Sequence, residues 1–392
     1  MTTPVRLDSV CDITMGQAPP GDTYNGEGSG LPLIAGAGDF SGTRPAPKKW
    51  TSEAGKVCRA GDIILGIRAS VGEKVLADEE YCLGRGVAGL RARPGLDPRF
   101  LWHWLTHVKG ELVARGRGAT FLQVNRNDIG ALEMDLPGLA EQRRVAAVLD
   151  QVEELRAKRR RAIALLDDAA QSVFLDMFGD PASPASVHRR IPVADAVSRP
   201  LQNGAYFPAE AYTEDGVAMV HMSDAFSGTV GPQGLKRVAC AEKDLAKYAL
   251  TSDDLLVARR SLNYEGSAKP CRVGASDEPL IFESSLIRVT PDPELLTARY
   301  LYAYLSHQRV RDAYVFPLVT GATITGISQG NLAKVPVLVP PLADQRGFER
   351  RLEHIDRLRD SGRAHLATLD ELFTSLRHRA FTGTLWDHEA AA

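Results

Sequence analysis

The sequence predicts an α+β protein: two mixed α/β domains joined by two long antiparallel helices that form a coiled-coil-like pair, with a pseudo-twofold internal repeat. The first observation behind this prediction is a stretch that occurs twice. Gln142 and Phe178 recur as Gln345 and Phe381, and both offsets (345 − 142 and 381 − 178) equal 203 residues. A constant offset without slippage indicates one structural unit used twice, and two copies indicate a pseudo-symmetric pair.

The second observation is a helical spacing of apolar residues in each copy. Between Glu141 and Phe178 they recur at intervals of three and four, which places them on one stripe of a helix about 57 Å long. A single helix of that length cannot bury its stripe on a small domain, so the second copy is its expected mate; the alternative is two separate surface helices. The predicted helix-pair interface consists of Val148, Val152, Leu155, Leu166, Val173, Ile355, Leu358, Leu369, Leu372 and Leu376.

Proline and an acidic residue mark the start of each helix. Pro137 and Pro340 end the preceding strand, and Glu141 or Asp344 falls in the first turn, where the helix dipole favours an acid. The predicted organisation is a mixed domain at 1–138, a helix at 139–180, a linker at 181–188, a second mixed domain at 189–340, a helix at 341–383 and a tail at 384–392.

Glycine and proline divide both mixed domains into short strands and loops. In the first domain, 62–67 predicts a strand and 100–107 a helix; the second domain has their counterparts at offsets of 192 (254 − 62) and 200 (300 − 100). The offset thus drifts from 192 through 200 to 203, so the loops differ in length within a shared frame.

Composition excludes several classes of protein. The 47 Lys and Arg residues balance 49 Asp and Glu residues, so a nucleic-acid partner would have to be met by local basic patches. The five cysteines form no Cys-x-x-Cys pair, which argues against a disulfide framework or zinc clip. No stretch approaches eighteen apolar residues, so a soluble, cytoplasmic protein without a membrane span is expected.

Catalytic signatures are missing from the sequence. No glutamate has a lysine two positions later, as metal-dependent nuclease motifs have, and no Asn-Pro-Pro-aromatic stretch could hold a flipped adenine. The glycines of 84–89 match a dinucleotide-binding pattern but run into a strand. His103 and His107 share a helical face without a third metal ligand. We therefore predict no catalytic and no metal-binding residue.

Polar and basic residues in the loops of both domains are candidates for DNA contact. Arginine can fork onto guanine, Asn and Gln onto adenine, and Ser or Thr onto phosphate or a thymine methyl group. Arg115-Gly116-Arg117-Gly118 is the best phosphate-binding candidate, because glycine lets the backbone approach closely. The candidates are Arg44, Lys48, Lys49, Arg68, Arg85, Arg115, Arg117, Thr120, Gln123, Asn125 and Arg126 in the first domain, and Asn203, Tyr206, Arg259, Arg260, Asn263, Lys269, Arg272, Thr323, Thr325, Ser328 and Gln329 in the second.

The order domain, helix, domain, helix resembles the specificity subunit of a type I restriction–modification system. The resemblance is carried by Pro-x-Leu-Ala-Glu/Asp-Gln-Arg opening each helix, by Gly-Ala-Thr about twenty residues earlier, and by Phe-Leu-Asp-Met-Phe-Gly-Asp-Pro closing the first helix. It covers nearly the whole chain, and it is strong at the helix entries and weak within the domains. Gly138 departs from the second copy, which has Pro341 there.

The resemblance implies a DNA-reading adaptor without chemistry of its own. Each domain would be a target-recognition domain for half of a bipartite DNA sequence, and the paired helices would set the half-site separation. Two modification subunits would bring S-adenosylmethionine and adenine methylation, and restriction subunits, if present, would use ATP and Mg²⁺; this chain itself would bind no cofactor. A scaffold with two protein-binding domains remains an alternative, and a single-chain nuclease or methyltransferase is the third.

Overall fold

The computed structural model describes residues 4–118, 121–226, 228–321 and 324–385. Two helices of 40 residues each span Leu139–Phe178 and Leu342–Phe381. The chain divides into two compact units, the first formed by Met1–Arg160 with Ala364–Ala392 and the second by Arg161–Arg363. Each unit therefore contains one sheet-rich domain, hereafter a head, and half of each long helix. Among the described residues, no helix is long and apolar enough to cross a bilayer.

The first head is built on two sheets of short strands. An antiparallel sheet has the order Lys74–Leu76, Ile63–Gly66, Val87–Ala92, Cys11–Met15. A mixed sheet has the order Tyr24–Asn25, Lys49–Thr51, Leu31–Ile34, Tyr81–Leu83, Val57–Cys58. Two further strand pairs are Val5–Arg6 with Glu133–Met134 and Phe40–Ser41 with Arg44–Pro45. Its helices are Leu7–Val10, Pro98–His107, Lys109–Ala114 and Arg126–Gly130.

The second head repeats this plan with longer connections. Its main sheet has the order Gln202–Asn203, Leu286–Val289, Leu255–Ala258, Pro270–Val273, Thr229–Val230, and a smaller sheet the order Lys236–Val238, Tyr212–Val220, Leu280–Phe282. Two strand pairs are Arg189–Pro192 with Pro336–Val339 and Arg260–Ser261 with Thr325–Gly326. Its helices are Met222–Ala225, Glu242–Tyr248, Ala298–Ser306, Gln308–Val310, the π-helical turn Arg311–Val315, and Gln329–Ala333.

Strand pairing shows the internal repeat directly. Ile63–Gly66 lies between two antiparallel neighbours in the first head, and Leu255–Ala258 does so in the second. A helix rich in aromatic residues follows in each head, at Pro98–His107 and Ala298–Ser306. The predicted α+β fold with a pseudo-twofold repeat is confirmed. Val87–Ala92 pairs only antiparallel, so the glycines preceding it do not open a parallel nucleotide-binding unit.

The long helices pack antiparallel within each unit. In the first unit Arg156 of the first helix donates to Asp370 of the second at 2.6 Å, and its guanidinium lies 4.5 Å from the ring centroid of Phe373. In the second unit the rings of Phe174 and Phe348 meet edge to face at 5.7 Å. The early part of one helix therefore meets the late part of the other in both units.

The predicted helix-pair interface needs a correction. Leu155, Leu358 and Leu372 are 48%, 60% and 44% exposed and do not form a buried seam. The physical reason is that each helix divides its apolar residues between the other helix and a head; Val145 and Leu149, for example, are buried in the core of the first head. Of the other predicted residues Val152 is buried, and the half-buried ones are Val148, Leu166, Val173, Ile355, Leu369 and Leu376.

A buried glutamine bonds the first turn of each long helix to its head. Gln142 accepts from the Asp97 N–H at 2.8 Å and donates to the carbonyls of Gly95 and Pro137 at 2.9 and 2.7 Å. Gln345 accepts from the Thr297 N–H at 2.9 Å. It donates to the carbonyls of Leu295 and Pro340 at 2.9 and 2.8 Å. Both side chains are fully buried, and we call this arrangement the glutamine latch.

Replacing a latch glutamine should destabilise its own unit. Gln142→Leu removes the partner of the partly buried Asp97 N–H and of the Gly95 and Pro137 carbonyls, so we expect a loss of about 1–3 kcal/mol. Hydrogen exchange followed by mass spectrometry should show faster exchange across the first head and leave the second unchanged, and Gln345→Leu should do the reverse. Gln151→Leu makes the same change at an exposed site of the first long helix and serves as the control. Equal exchange in Gln142→Leu and Gln151→Leu would contradict the latch.

Candidate nucleic-acid interface

Each head presents a short loop closed by a pair of backbone hydrogen bonds. In the first head Arg117 and Gln123 exchange both bonds at 2.9 Å; in the second, Thr320 and Gly326 do so at 2.9 and 2.8 Å. The partners are 203 residues apart in both cases (320 − 117 and 326 − 123). We call residues 117–123 the first bridged loop and residues 320–326 the second. Thr120 and Thr323, two of the predicted DNA contacts, lie outside the described residues.

A glycine sets the turn of each bridged loop. Gly118 has φ +129° and Gly321 has φ +111°, a region that residues with a side chain rarely adopt. A Cβ atom on Gly118 would lie 2.3 Å from the Phe121 carbonyl oxygen, and one on Gly321 would lie 2.1 Å from the Ile324 carbonyl oxygen. The two turns thus share a geometry that only glycine permits without movement of the backbone.

The bridged loops are anchored on both sides. Val124 donates its N–H to the Ile67 carbonyl at 3.0 Å, and Ile327 donates to the Arg259 carbonyl at 3.0 Å, so each loop lies beside the end of a central sheet strand. The second residue after each bridged loop caps a short helix: the Asn125 side chain caps Arg126–Gly130, and the Ser328 side chain caps Gln329–Ala333. Both anchors hold the loop firmly against its own head.

An exposed apolar side chain stands at the same place in each bridged loop. Phe121 is 60% exposed and Ile324 is 54% exposed. The sequence prediction did not include them. The signal was present, because both lie at the constant offset of 203 (324 − 121) within otherwise polar loops. The sequence prediction also missed Leu262, 83% exposed, and Tyr264, 45% exposed, in the second head. These residues were missed because the candidates were chosen for polar or basic side chains.

Two exposed arginines, Arg68 and Arg117, lie at the first bridged loop. Arg68 bridges through its backbone to Gln123, and its side chain is exposed beside Ala69, a non-glycine residue with φ +60°. Arg117 is 78% exposed although it approaches Asp128 at 3.4 Å. The positive φ of Ala69 is a strained backbone conformation, and such conformations cluster at functional sites. Arg85, Gln123, Asn125 and Arg126 are also exposed, whereas Arg115 donates to Glu111 and to the Asp128 carbonyl.

In the second head only part of the predicted set gathers at the bridged loop. Arg260 and Gly326 are partners in a strand pair, and the exposed Arg260 side chain corresponds to Arg68. The Thr325 hydroxyl is bonded to that of Ser267 at 2.7 Å, and the side-chain Oδ1 of Asn263 accepts from the Gly266 N–H at 2.7 Å. Ser328 is exposed and Gln329 half-buried, and Arg259 is half-buried with a 3.5 Å contact to the Ser284 carbonyl.

The remaining predicted residues lie elsewhere. In the first head Arg44 lies in a separate strand pair, and Lys49 lies in the mixed sheet with Lys48 just before it; all three are exposed. In the second head Tyr206 is 81% exposed, whereas Asn203 has a buried side-chain oxygen. Lys269 and Arg272 line a cavity of the second unit.

The described residues offer little for catalysis. His103, fully buried, hydrogen-bonds Asp150 at 2.9 Å, and the His107 ring packs 5.1 Å from that of Phe381. Burial raises the pKa of Cys11 and Cys271 to about 12, so these thiols stay protonated at neutral pH and offer no nucleophilic thiolate. Among the residues that the structure describes, no group of three or more His, Cys, Asp or Glu side chains is placed to hold a metal ion.

Residues 2–165 match the family model of the type I restriction modification DNA specificity domain. A putative specificity subunit of the type I restriction enzyme MjaX from Methanocaldococcus jannaschii is 32% identical over 162 residues, covering 41% of this chain and 38% of that protein. The EcoKI specificity subunit of Escherichia coli K12 is 23% identical over 300 residues, covering 71% of this chain and 63% of that protein. The chain thus aligns with less than two thirds of the length of either relative.

Two solved structures share the fold over nearly the full chain. The S subunit of a type I restriction–modification system from M. genitalium superposes with a TM-score of 0.53 at 17% identity, covering 97% of this chain and 96% of that one. A chain solved in a study of complex assembly and conformational transition of the type I system gives a TM-score of 0.52 at 19% identity, covering 98% of each. At these identities the likeness establishes the fold.

The two loop glycines provide a local test of the bridged loops. Gly118→Ala and Gly321→Ala force the backbone to move, so the paired hydrogen bonds should weaken and the amides of Gln123 and Gly326 should exchange at least about tenfold faster, which corresponds to about 1.4 kcal/mol. Hydrogen exchange of the full chain measures this. Gly55→Ala, where the added carbon meets no atom within 4 Å, is the control. Unchanged exchange in both loop variants would show that the turn does not depend on glycine.

Proposed function

Because residues 2–165 match the model of the type I restriction modification DNA specificity domain and the whole chain has the fold of the S subunits, we propose that this protein is a DNA sequence-recognition subunit. Each head reads one half of a bipartite double-stranded target, and the long helices act as the spacer. The chain is non-catalytic. A cytoplasmic location accompanies this role, since the target is genomic and invading DNA.

The two bridged loops carry the proposal. The heads have diverged in loop length, yet both keep a loop with the same paired bonds, the same glycine turn and an exposed apolar side chain. Beside it stands an exposed arginine, Arg68 or Arg260. Arginine can bond phosphate or guanine, and an apolar tip such as Phe121 can pack against base edges or a base step. We propose that this shared element contacts DNA in the same way in both half-sites, while the surrounding residues differ with the bases read.

The same family relation suggests the partners. We propose that the long helices hold two modification subunits, which carry S-adenosylmethionine-dependent adenine methylation, and that restriction subunits using ATP and Mg²⁺ join them in a complete system. A base in duplex DNA must be flipped into a pocket before it is methylated. We assign this pocket and the methyl transfer to the modification subunits. The role of this chain is to position them on the target.

Charge removal at the bridged loops should weaken DNA binding of the assembled complex. Arg68→Gln and Arg260→Gln should each reduce affinity and lower the slope of log affinity against log salt by about one, if each arginine contacts one phosphate. Fluorescence anisotropy of a labelled target duplex at several salt concentrations measures both quantities. Arg59→Gln is the control, because Arg59 is exposed and precedes the strand Ile63–Gly66 at the end opposite Arg68.

The expected pattern distinguishes two roles for each arginine. A loss that is uniform across sequences indicates a phosphate contact, whereas relaxed specificity at one base pair indicates a guanine contact. Affinity and salt slope equal to those of Arg59→Gln in both variants would remove the bridged loops from the DNA interface.

The modified sequence itself tests the two-head proposal. Co-expression with a modification subunit, followed by long-read sequencing of the host genome, should reveal methylated adenines in two short defined blocks around an undefined gap of fixed length. A continuous motif would mean that the heads do not act as separate readers. No modification by a complex that assembles would favour the alternative, a scaffold whose heads bind proteins.

A further inference from the structure

The second head has a longer hairpin loop than the first at the same place in the fold. In the second head residues 259–269 connect the antiparallel strands Leu255–Ala258 and Pro270–Val273; in the first head residues 67–73 make the same connection. The segment 259–269, hereafter the long hairpin loop, thus has eleven residues against seven. Residues 262–265 at its tip are all exposed.

Two aliphatic side chains lie together where the long hairpin loop meets the second bridged loop. In the last pair of the short ladder between these loops, Ser261 lies opposite Thr325. Leu262 and Ile324 are the neighbours of this pair at the same end of the ladder. Leu262 is 83% exposed and Ile324 is 54% exposed, whereas Ser261 is buried. They form a joint apolar tip, unlike the scattered apolar side chains that are normal on a protein surface.

The first head has a single apolar side chain at the matching place. Two positions on from the bridge between Arg68 and Gln123, the residues are Ser70 and Phe121. Phe121 is 60% exposed, and Ser70 is half-buried and polar. An apolar tip is therefore common to both heads, and the second aliphatic side chain is particular to the long hairpin loop.

A buried arginine holds the long hairpin loop from the side of the protein. Arg311 is 6% exposed, and its guanidinium donates to the carbonyls of Glu265, Ser267 and Ala268 at 2.7, 2.9 and 3.2 Å. The same guanidinium lies 4.7 Å from the ring centroid of Phe316. Hydrogen bonds from a charged donor are stronger than neutral ones, and three of them from one planar group restrict the backbone of the loop.

An aromatic contact braces the tip as well. The Tyr264 ring lies 4.8 Å from that of Phe316, and the Tyr264 hydroxyl donates to the Phe316 carbonyl at 2.9 Å. Ala268 at the base of the loop has φ +56°, a region that residues other than glycine rarely adopt. The loop is thus held in one shape at the cost of backbone strain, and it presents Leu262 to water. Strain of this kind clusters at binding sites.

The charges of the long hairpin loop suit a DNA partner. The loop contains three cations, Arg259, Arg260 and Lys269, and one acid, Glu265, and the second bridged loop contains no charged residue. A net positive surface attracts the phosphates of DNA. Leucine, isoleucine and phenylalanine are also the side chains that DNA-bending proteins insert between base steps.

We propose that Leu262 and Ile324 form an apolar wedge that enters one base step of the second half-site and partly unstacks it. Arg311 is a positioning residue, which touches no base and holds the loop that carries Leu262. A braced loop suits this role, because a flexible loop would yield before the stacked bases part. The inference rests on the proposed DNA-reading function and adds a local distortion of the second half-site to it.

Fluorescent base analogues in the second half-site test the wedge. The full chain is assembled with modification subunits on duplexes that carry the sequence found by methylation mapping. Either 2-aminopurine replaces one adenine or pyrrolocytosine replaces one cytosine, at each position in turn except the methylated adenine. Stacking quenches both analogues, so binding should raise the fluorescence about twofold or more at the unstacked step.

Variants of the full chain assign this rise to the wedge. Leu262→Ser should abolish it and Ile324→Ser should reduce it, and both sites are exposed, where substitutions change stability little. Val187→Ser is the matched control, because Val187 is an aliphatic residue of the same unit and is 92% exposed. Arg311→Lys loses the planar fork of donors, so it should lower the rise and leave the salt dependence of affinity unchanged.

The outcomes separate the wedge from the proposed function. Salt-dependent binding of the wild-type complex without any rise, or a full rise in Leu262→Ser, would overturn the wedge alone. No sequence-dependent binding by the wild-type complex would overturn both. Failure of Leu262→Ser to assemble with modification subunits, measured by size-exclusion chromatography, would make the tip a protein-docking surface and overturn the wedge. If Arg311→Lys does not fold, Leu262→Ser against Val187→Ser still decides.

Discussion

One amide side chain fixes where each long helix leaves its head. Gln142 and Gln345 use both N–H groups and the oxygen of the side-chain amide, and every partner is a backbone group. Glutamate has the same length but no donor, and asparagine is one methylene shorter. Asp97 and Thr297 also cap the aromatic helices Pro98–His107 and Ala298–Ser306. In each unit the latch therefore joins the first turn of a long helix to the first turn of an aromatic helix.

Everything from the bridged loop to the end of the long helix keeps the same spacing in both copies. Loop, short helix, latch and long helix share the offset of 203, whereas the central strands and the aromatic helices differ by 192 and 200. Between the central strand and the aromatic helix the second head has eight more residues than the first (200 − 192), and between that helix and the bridged loop it has three more (203 − 200). A constant block placed beside variable loops suits a protein in which one contact is common to both half-sites and the base readout differs.

The sequence allowed the helices and the repeat to be predicted because both leave periodic traces. The helices predicted at 139–180 and 341–383 span Leu139–Phe178 and Leu342–Phe381 in the structure. The helix interface was predicted less well. A spacing of three and four residues shows which residues lie on the apolar side of a helix, but it does not show which of them contact a head and which contact the other long helix. Leu358 is exposed for that reason. The cavity of the second unit could not be predicted from the sequence, because residues that line it, such as Arg272, Arg299 and Arg359, come from three separate segments.

A comparison of the two heads shows that the buried charges are not required by the fold. Arg99 and Arg299 occupy equivalent positions, yet the Arg99 side chain is 76% exposed where it pairs with Asp150, and that of Arg299 is 18% exposed. In the first unit the buried His103 fills the space beside Asp150. The shared frame thus folds with its arginine in water. In the second unit the carboxylate of Asp356, which pairs with both Arg299 and Arg359, supplies the negative charge that offsets the cost of burying Arg299.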